Sequence, residues 1–275
     1  MSYRSGDSTV RSEMAGTTTL FAAVLRKRAY LLARYPMNTL AQIVTVYLFF
    51  AAIFFGGKAA AGSIGGAGAL SDTFGGLIVG WFLWTMALTA YFSLASSVTQ
   101  EAQWGTLEQL YMSPYGFGSV MAASVVAYLL ESMLWGAIIL PLMLVTTGQS
   151  LAVDLLTVVP IVVLTLLPVV GIGFVFAGLA LLYKRIENLS QLMQFVLIGL
   201  IAAPIADSEP LRYLPLVQGS SMLQRAMQGG VRLWQFPASD LAVLVVTAVG
   251  YCLLGFYAFK RAARRARRMG VLGHY

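Results

Sequence analysis

Residues Gln100–Pro114 read QEAQWGTLEQLYMSP, a polar stretch holding Glu101 and Glu108 with no Lys or Arg. On either side lie long apolar runs, Phe74–Val98 and Phe117–Thr147. Trp104, Leu107, Leu110 and Tyr111 recur at helical spacing within it, which predicts a short acidic amphipathic helix between two membrane spans. A helix of that kind suits a socket on another subunit.

Working outward, the whole chain is too apolar to close a water-soluble core. Of 275 residues 59% are hydrophobic and 11% charged, mean hydropathy is +0.78, and an average soluble domain carries about 25% charged residues. Its solvent is therefore the bilayer. Given that roughly 17 to 25 apolar residues cross the hydrocarbon, six spans are expected: Met37–Phe55, Phe74–Val98, Phe117–Thr147, Leu151–Tyr183, Leu189–Ala206 and Leu241–Phe259. Pro141 in the third and Pro160 and Pro168 in the fourth should kink them or let one end project beyond the bilayer, since proline removes an intrahelical hydrogen bond.

The cations set the orientation. Arg4, Arg11, Arg26, Lys27, Arg28 and Arg34 precede the first span, Lys184 and Arg185 lie between the fourth and fifth, and Lys260–Arg268 places six cations after the sixth. Only Lys58, Arg212, Arg225 and Arg232 fall on the other side. By the positive-inside rule both termini are cytoplasmic, and so is the 100–114 stretch. The basic tail, 260–275, serves topology and anionic head groups rather than nucleic acid. Met1–Thr19 is polar without a signal-peptide core, so the first span is expected to direct insertion.

Three further segments carry structure. Residues 18–35 place Leu20, Val24 and Leu31 on one face of a basic helix that Pro36 breaks from the first span; they form an interfacial amphipathic helix or extend that span. Gly56–Gly76 reads as a flexible external loop. Residues 207–239, with Pro210, Pro215 and Pro237 around the amphipathic 220–228, either dip into the outer leaflet or form an aromatic belt with Tyr213 and Trp234.

Chemistry-bearing residues are few. One Cys, Cys252, and one His, His274, leave no Cys/His metal site within a chain. The single Gly57–Lys58 pair is followed by Ala59 and preceded by Ala52 where a phosphate loop needs glycine, so no nucleotide site is expected, nor any catalytic residue. Glu131 stands deep in the third span, where a carboxylate costs about 2.5 to 3.5 kcal/mol on insertion scales. It either touches a substrate path or makes a structural contact to Tyr128, Ser132 or another span. Asp154 and Asp240, at the heads of the fourth and sixth spans, read as helix N-caps or interface markers. Gly76/Gly80 and Gly173/Ala177 mark close helix contacts, within the subunit or between copies.

The motif Glu101, Gly105, Thr106, Leu107, Glu108, Leu110, Ser113 and Pro114 resembles the first cytoplasmic loop of ABC-2-type permeases, the transmembrane subunits of ATP-binding-cassette exporters. That resemblance implies one permease domain over 1–275, all-α and polytopic. Its parts would be six spans, an interfacial N-terminal helix, a coupling helix at 100–114 and short re-entrant external helices before the last span. It further implies residence in the cytoplasmic membrane and a partner ATPase that holds ATP and Mg, with no cofactor on this chain. A second permease copy, identical or similar, completes the implied assembly, and the cargo would be amphiphilic: a drug, lipid, glycolipid or polysaccharide. On this reading Glu101, Trp104, Gly105, Thr106, Leu107, Glu108, Leu110, Tyr111 and Pro114 contact the partner. The rivals are a proton-coupled secondary transporter, which needs several intramembrane acids, and a membrane enzyme, which needs clustered His, Asp or Glu.

Overall fold

A computed structural model describes residues 22–26, 30, 34–63, 71–103, 117–183, 186–203 and 209–268. Among these there are helices and no strands, as expected where the backbone has no water to bond and each segment must satisfy its own N–H and C=O groups. The long elements are α1 (Pro36–Ser63), α2 (Ser71–Gln103), α3 (Phe117–Thr147) and α4 (Leu155–Tyr183). Then follow α5 (Glu187–Ile201), a 3-10 turn at Glu209–Tyr213, α6 (Val217–Gly229), a second 3-10 turn at Leu233–Gln235, and α7 (Ala238–Arg268).

Five helices, α1 to α4 and α7, are long and apolar enough to cross a bilayer. The fifth apolar segment differs from the sequence reading. It forms a 15-residue helix, about 22 Å at 1.5 Å per residue against about 30 Å of hydrocarbon. Pro204 explains the early stop: it disfavours helical backbone in the residue before it, and α5 ends at Ile201. The expected glycine-rich loop is shorter too, because α1 runs on to Ser63 and α2 already includes Gly75 and Gly76. Pro36 opens α1 at the position where a missing N–H costs nothing, after a break at Tyr35. Helices α3 and α4 continue through Pro141, Pro160 and Pro168.

Packing centres on α4, which is buried over 56% of its most apolar window, whereas α1 is buried over 11%. Small residues let α4 approach its neighbours. A Cβ on Gly255 of α7 would fall on the Gly171 carbonyl and lie 2.6 Å from the Gly171 Cα, so the two backbones touch. Further along the pair, Gly178 faces Ala262 and Phe259 at 3.0 and 3.3 Å. Gly173 takes Leu94 of α2 at 3.2 Å. These registers make α2, α4 and α7 parallel. Gly136 of α3 sits against Phe82 and Met86 of α2, and Tyr128 joins Leu94 further along, so α3 runs antiparallel.

The bundle therefore has two ends. One gathers α6 and the starts of α2, α4 and α7; the other gathers the last turns of α2, α4 and α7 with the start of α3. Helix α1 attaches through Phe50 and Phe54, whose rings meet Trp81 at 6.0 Å and Phe74 at 5.2 Å. Gly255→Leu should destabilise the detergent-solubilised protein by on the order of 3 kcal/mol through backbone overpacking. Gly199→Leu, with nothing within 4 Å of its added Cβ, should leave the melting temperature unchanged.

Candidate functional site

The acidic stretch starts in helix. Gln100–Gln103 form the last turn of α2, with Glu101 half-buried. Trp104, Gly105, Thr106, Leu107, Glu108, Leu110, Tyr111, Ser113 and Pro114 lie outside the described residues. Among the described residues, Ala90 and Leu94 of α2, Met121 and Tyr128 of α3, Phe174, Ala177 and Leu181 of α4 and Phe259, Ala263 and Ala266 of α7 form one buried cluster. The helices that enter and leave the acidic stretch are thus packed onto α4 and α7 at this end. On α7, alanines face the cluster while Lys260, Arg261, Arg264, Arg265 and Arg268 are exposed.

Glu131 lies just beyond that cluster on α3, half-buried beside buried Tyr128 and Ser132. The Ser132 hydroxyl donates to the Leu129 carbonyl of its own helix at 2.7 Å. No residue of α3 lines the cavity described below, so Glu131 and that cavity are separate.

At the other end, α6 is wedged among α2, α4, α5 and α7. Its Val217, Gly219, Met222, Leu223 and Met227 are buried. A Cβ on Gly219 would overlap the Thr165 hydroxyl of α4, and the Ser220 hydroxyl donates to the Ile201 carbonyl that ends α5, at 2.8 Å. Buried Leu216 reverses the chain into α6 with φ +68°, a left-handed conformation costing about 1 to 2 kcal/mol for an L-residue. Two backbone links bind this cap to α4: the Ala152 N–H donates to the Met227 carbonyl at 2.7 Å, and the Leu233 N–H to the Thr157 hydroxyl at 3.0 Å. Asp154 caps α4 as its position implies, accepting from the Leu156 N–H at 3.3 Å and the Thr157 hydroxyl at 2.7 Å.

Asp240 does something the sequence reading did not foresee. Rather than capping α7 it sits inside its first turn, and its carboxylate takes one arginine on each oxygen. The Arg212 guanidinium donates to Oδ1 at 2.5 Å and the Arg225 guanidinium to Oδ2 at 2.9 Å. Arg212 also donates to the Gln218 carboxamide at 3.3 Å, and Arg225 lies over the Phe236 ring at 4.9 Å. One carboxylate thus ties the 3-10 turn and α6 to α7. The signal in the sequence was an acid heading an apolar helix, with two of the few cations assigned to that side close by.

Beside α6 a cavity of about 420 Å³ opens between helices, within the range of small-ligand sites. Its floor is the α2 face formed by Leu77, Gly80, Trp81 and Trp84, with Ile53 of α1 on one side and Ile198 and Ile201 of α5 on the other. The Trp84 indole donates to the Gln194 carbonyl at 3.4 Å, whereas the buried Trp81 N–H has no acceptor among the described residues. Among the described residues no group of three His, Cys, Asp or Glu is placed to hold a metal. Comparison with known protein families, curated proteins and solved structures finds no match to this chain.

Asp240→Ala should destabilise the protein by on the order of 2 to 3 kcal/mol, because it leaves mostly buried Arg212 with only the Gln218 carboxamide and exposed Glu209. Arg225→Ala, whose side chain is 46% exposed, should cost under about 1 kcal/mol. Thermal unfolding of both variants in one detergent checks the ranking.

Proposed function

We propose that the chain is the transmembrane permease subunit of an ATP-driven exporter of the ABC-2 type, carrying an amphiphilic substrate across the cytoplasmic membrane. The reading is supported above all by the inner cluster that joins α2 and α3, the helices flanking the acidic stretch, to α4 and α7. A partner pushing on residues 100–114 moves four helices together, because packed interiors shift as bodies rather than deform.

In this reading the partner is a separate nucleotide-binding subunit that holds ATP and Mg. Trp104, Leu107, Leu110 and Tyr111 enter its cleft, Glu101 and Glu108 meet its basic groups, and Gly105, Thr106 and Pro114 shape the turn. Residues 18–35 lie along the cytoplasmic interface, both termini are cytoplasmic, and Leu189–Ala206 is the remaining one of six crossings. A second permease copy, identical or similar, forms the other wall of the path. Drugs, lipids, glycolipids and lipid-linked polysaccharides fit the near absence of charge in the spans. Alternating access follows if closure of the ATPases draws the inner ends together, and their reopening separates them, while the cap of α6 governs the other side.

Glu108→Arg should abolish co-purification of the ATPase subunit and lower permease-stimulated ATP turnover by about tenfold or more. Unchanged complex formation and turnover in that variant would remove the basis for the coupling role.

A further inference from the structure

The cavity between α1, α2, α5 and α6 has dimensions that identify its occupant. It starts at Thr73, the first residue of the α2 span, and reaches Trp84. Those 11 residues of helix cover about 16 Å, close to half of the roughly 30 Å hydrocarbon thickness. The cavity therefore runs from one membrane boundary to the midplane, the depth of a single acyl chain in one leaflet.

Its polarity is graded the same way. At the boundary stands Thr73, an uncharged group that both donates and accepts hydrogen bonds; apart from Gln224 of α6, the rest of the lining is hydrocarbon and indole. Water has no polar partners in the deep part and gains nothing by entering. Gly80 keeps the floor open without being needed for helix contact. A Cβ there would meet only Ile201, at 3.5 Å, an ordinary van der Waals distance. Helix α1, sparsely buried and held mainly by Phe50 and Phe54, forms one side through Ile53, so whatever fills the cavity adds to its attachment.

We infer that this cavity is a lipid site, holding one acyl chain of a bilayer glycerolipid from the leaflet at the α6 end, with its ester oxygens at the Thr73 end. The chain completes the packing of α1 against α2 and α5. No charged side chain lines the site, so occupancy is set by the chain and ester region and is indifferent to headgroup charge. The inference is independent of the energising subunit and of the cargo.

The test uses the full chain alone in nanodiscs of phosphatidylcholine, a minor fraction of it carrying a diazirine within one acyl chain. After photolysis and transfer to detergent, peptide mapping should find adducts concentrated on Leu77, Trp84 and Ile198. Gly80→Phe should reduce them about tenfold, while the control Gly199→Phe, on the exposed face of α5, leaves them unchanged. Replacing the matrix by phosphatidylglycerol should not alter the pattern. In wild type, adducts spread evenly over outward residues such as Leu48, Leu253 and Leu254, with no excess at the cavity, would overturn the site, and that readout needs no variant to fold. Persistence of the adducts in a folded Gly80→Phe protein would equally exclude it.

Discussion

Backbone contact between α4 and α7 at Gly171 and Gly255 is the constraint on which the rest of the arrangement depends. In a bilayer no hydrophobic force drives helices together, so close approach and the dispersion it gains must do so. That contact fixes α7 parallel to α4 and sets its register, which in turn puts Asp240 beside the cap and the alanines of the basic end against α2 and α3. With a Cβ at either glycine, both ends would have to find other partners.

The cap answers a different difficulty: how irregular backbone and charge can sit at the membrane boundary. The reversal at Leu216 is buried in protein while the two 3-10 turns hold no buried residue, and the polar groups are settled by neighbours, Ile201 and Thr157 for the backbone and side-chain contacts, Asp240 for the guanidinium groups. Two arginines share the Asp240 carboxylate, exposed Glu209 adds a second anion 3.8 Å from Arg212, and partly exposed Arg225 also lies over the Phe236 face.

Much of this was readable from residue order, and the failures have physical causes. The long apolar helices, the break before Pro36 and the cap at Asp154 each follow from a local rule, and the structure has them. Helix α5 ends at Ile201, short of the expected Leu189–Ala206 stretch; hydropathy sums side chains and ignores Pro204, which acts through the backbone. The Gly56–Gly76 stretch was misjudged because glycine's entropic penalty in water is weakened where unbonded backbone has nowhere to go. Asp240 and the cavity were hidden for another reason: the arginines of Asp240 lie 15 and 28 positions away and the cavity joins residues as far apart as Ile53 and Gln224, and periodicity says nothing about which helices become neighbours. The acidic stretch beyond Gln103 lies outside the described residues.

Helix α7 is unbroken from Ala238 to Arg268, 31 residues or about 46 Å of stiff rod, longer than the hydrocarbon is thick. Its first turn is clamped by arginines and its last turns carry the cationic fringe, so the two membrane surfaces are joined by one incompressible strut. A tug on the α6 cap is felt at the opposite end without any relay of side chains, and neither end can tilt unless the other swings with it.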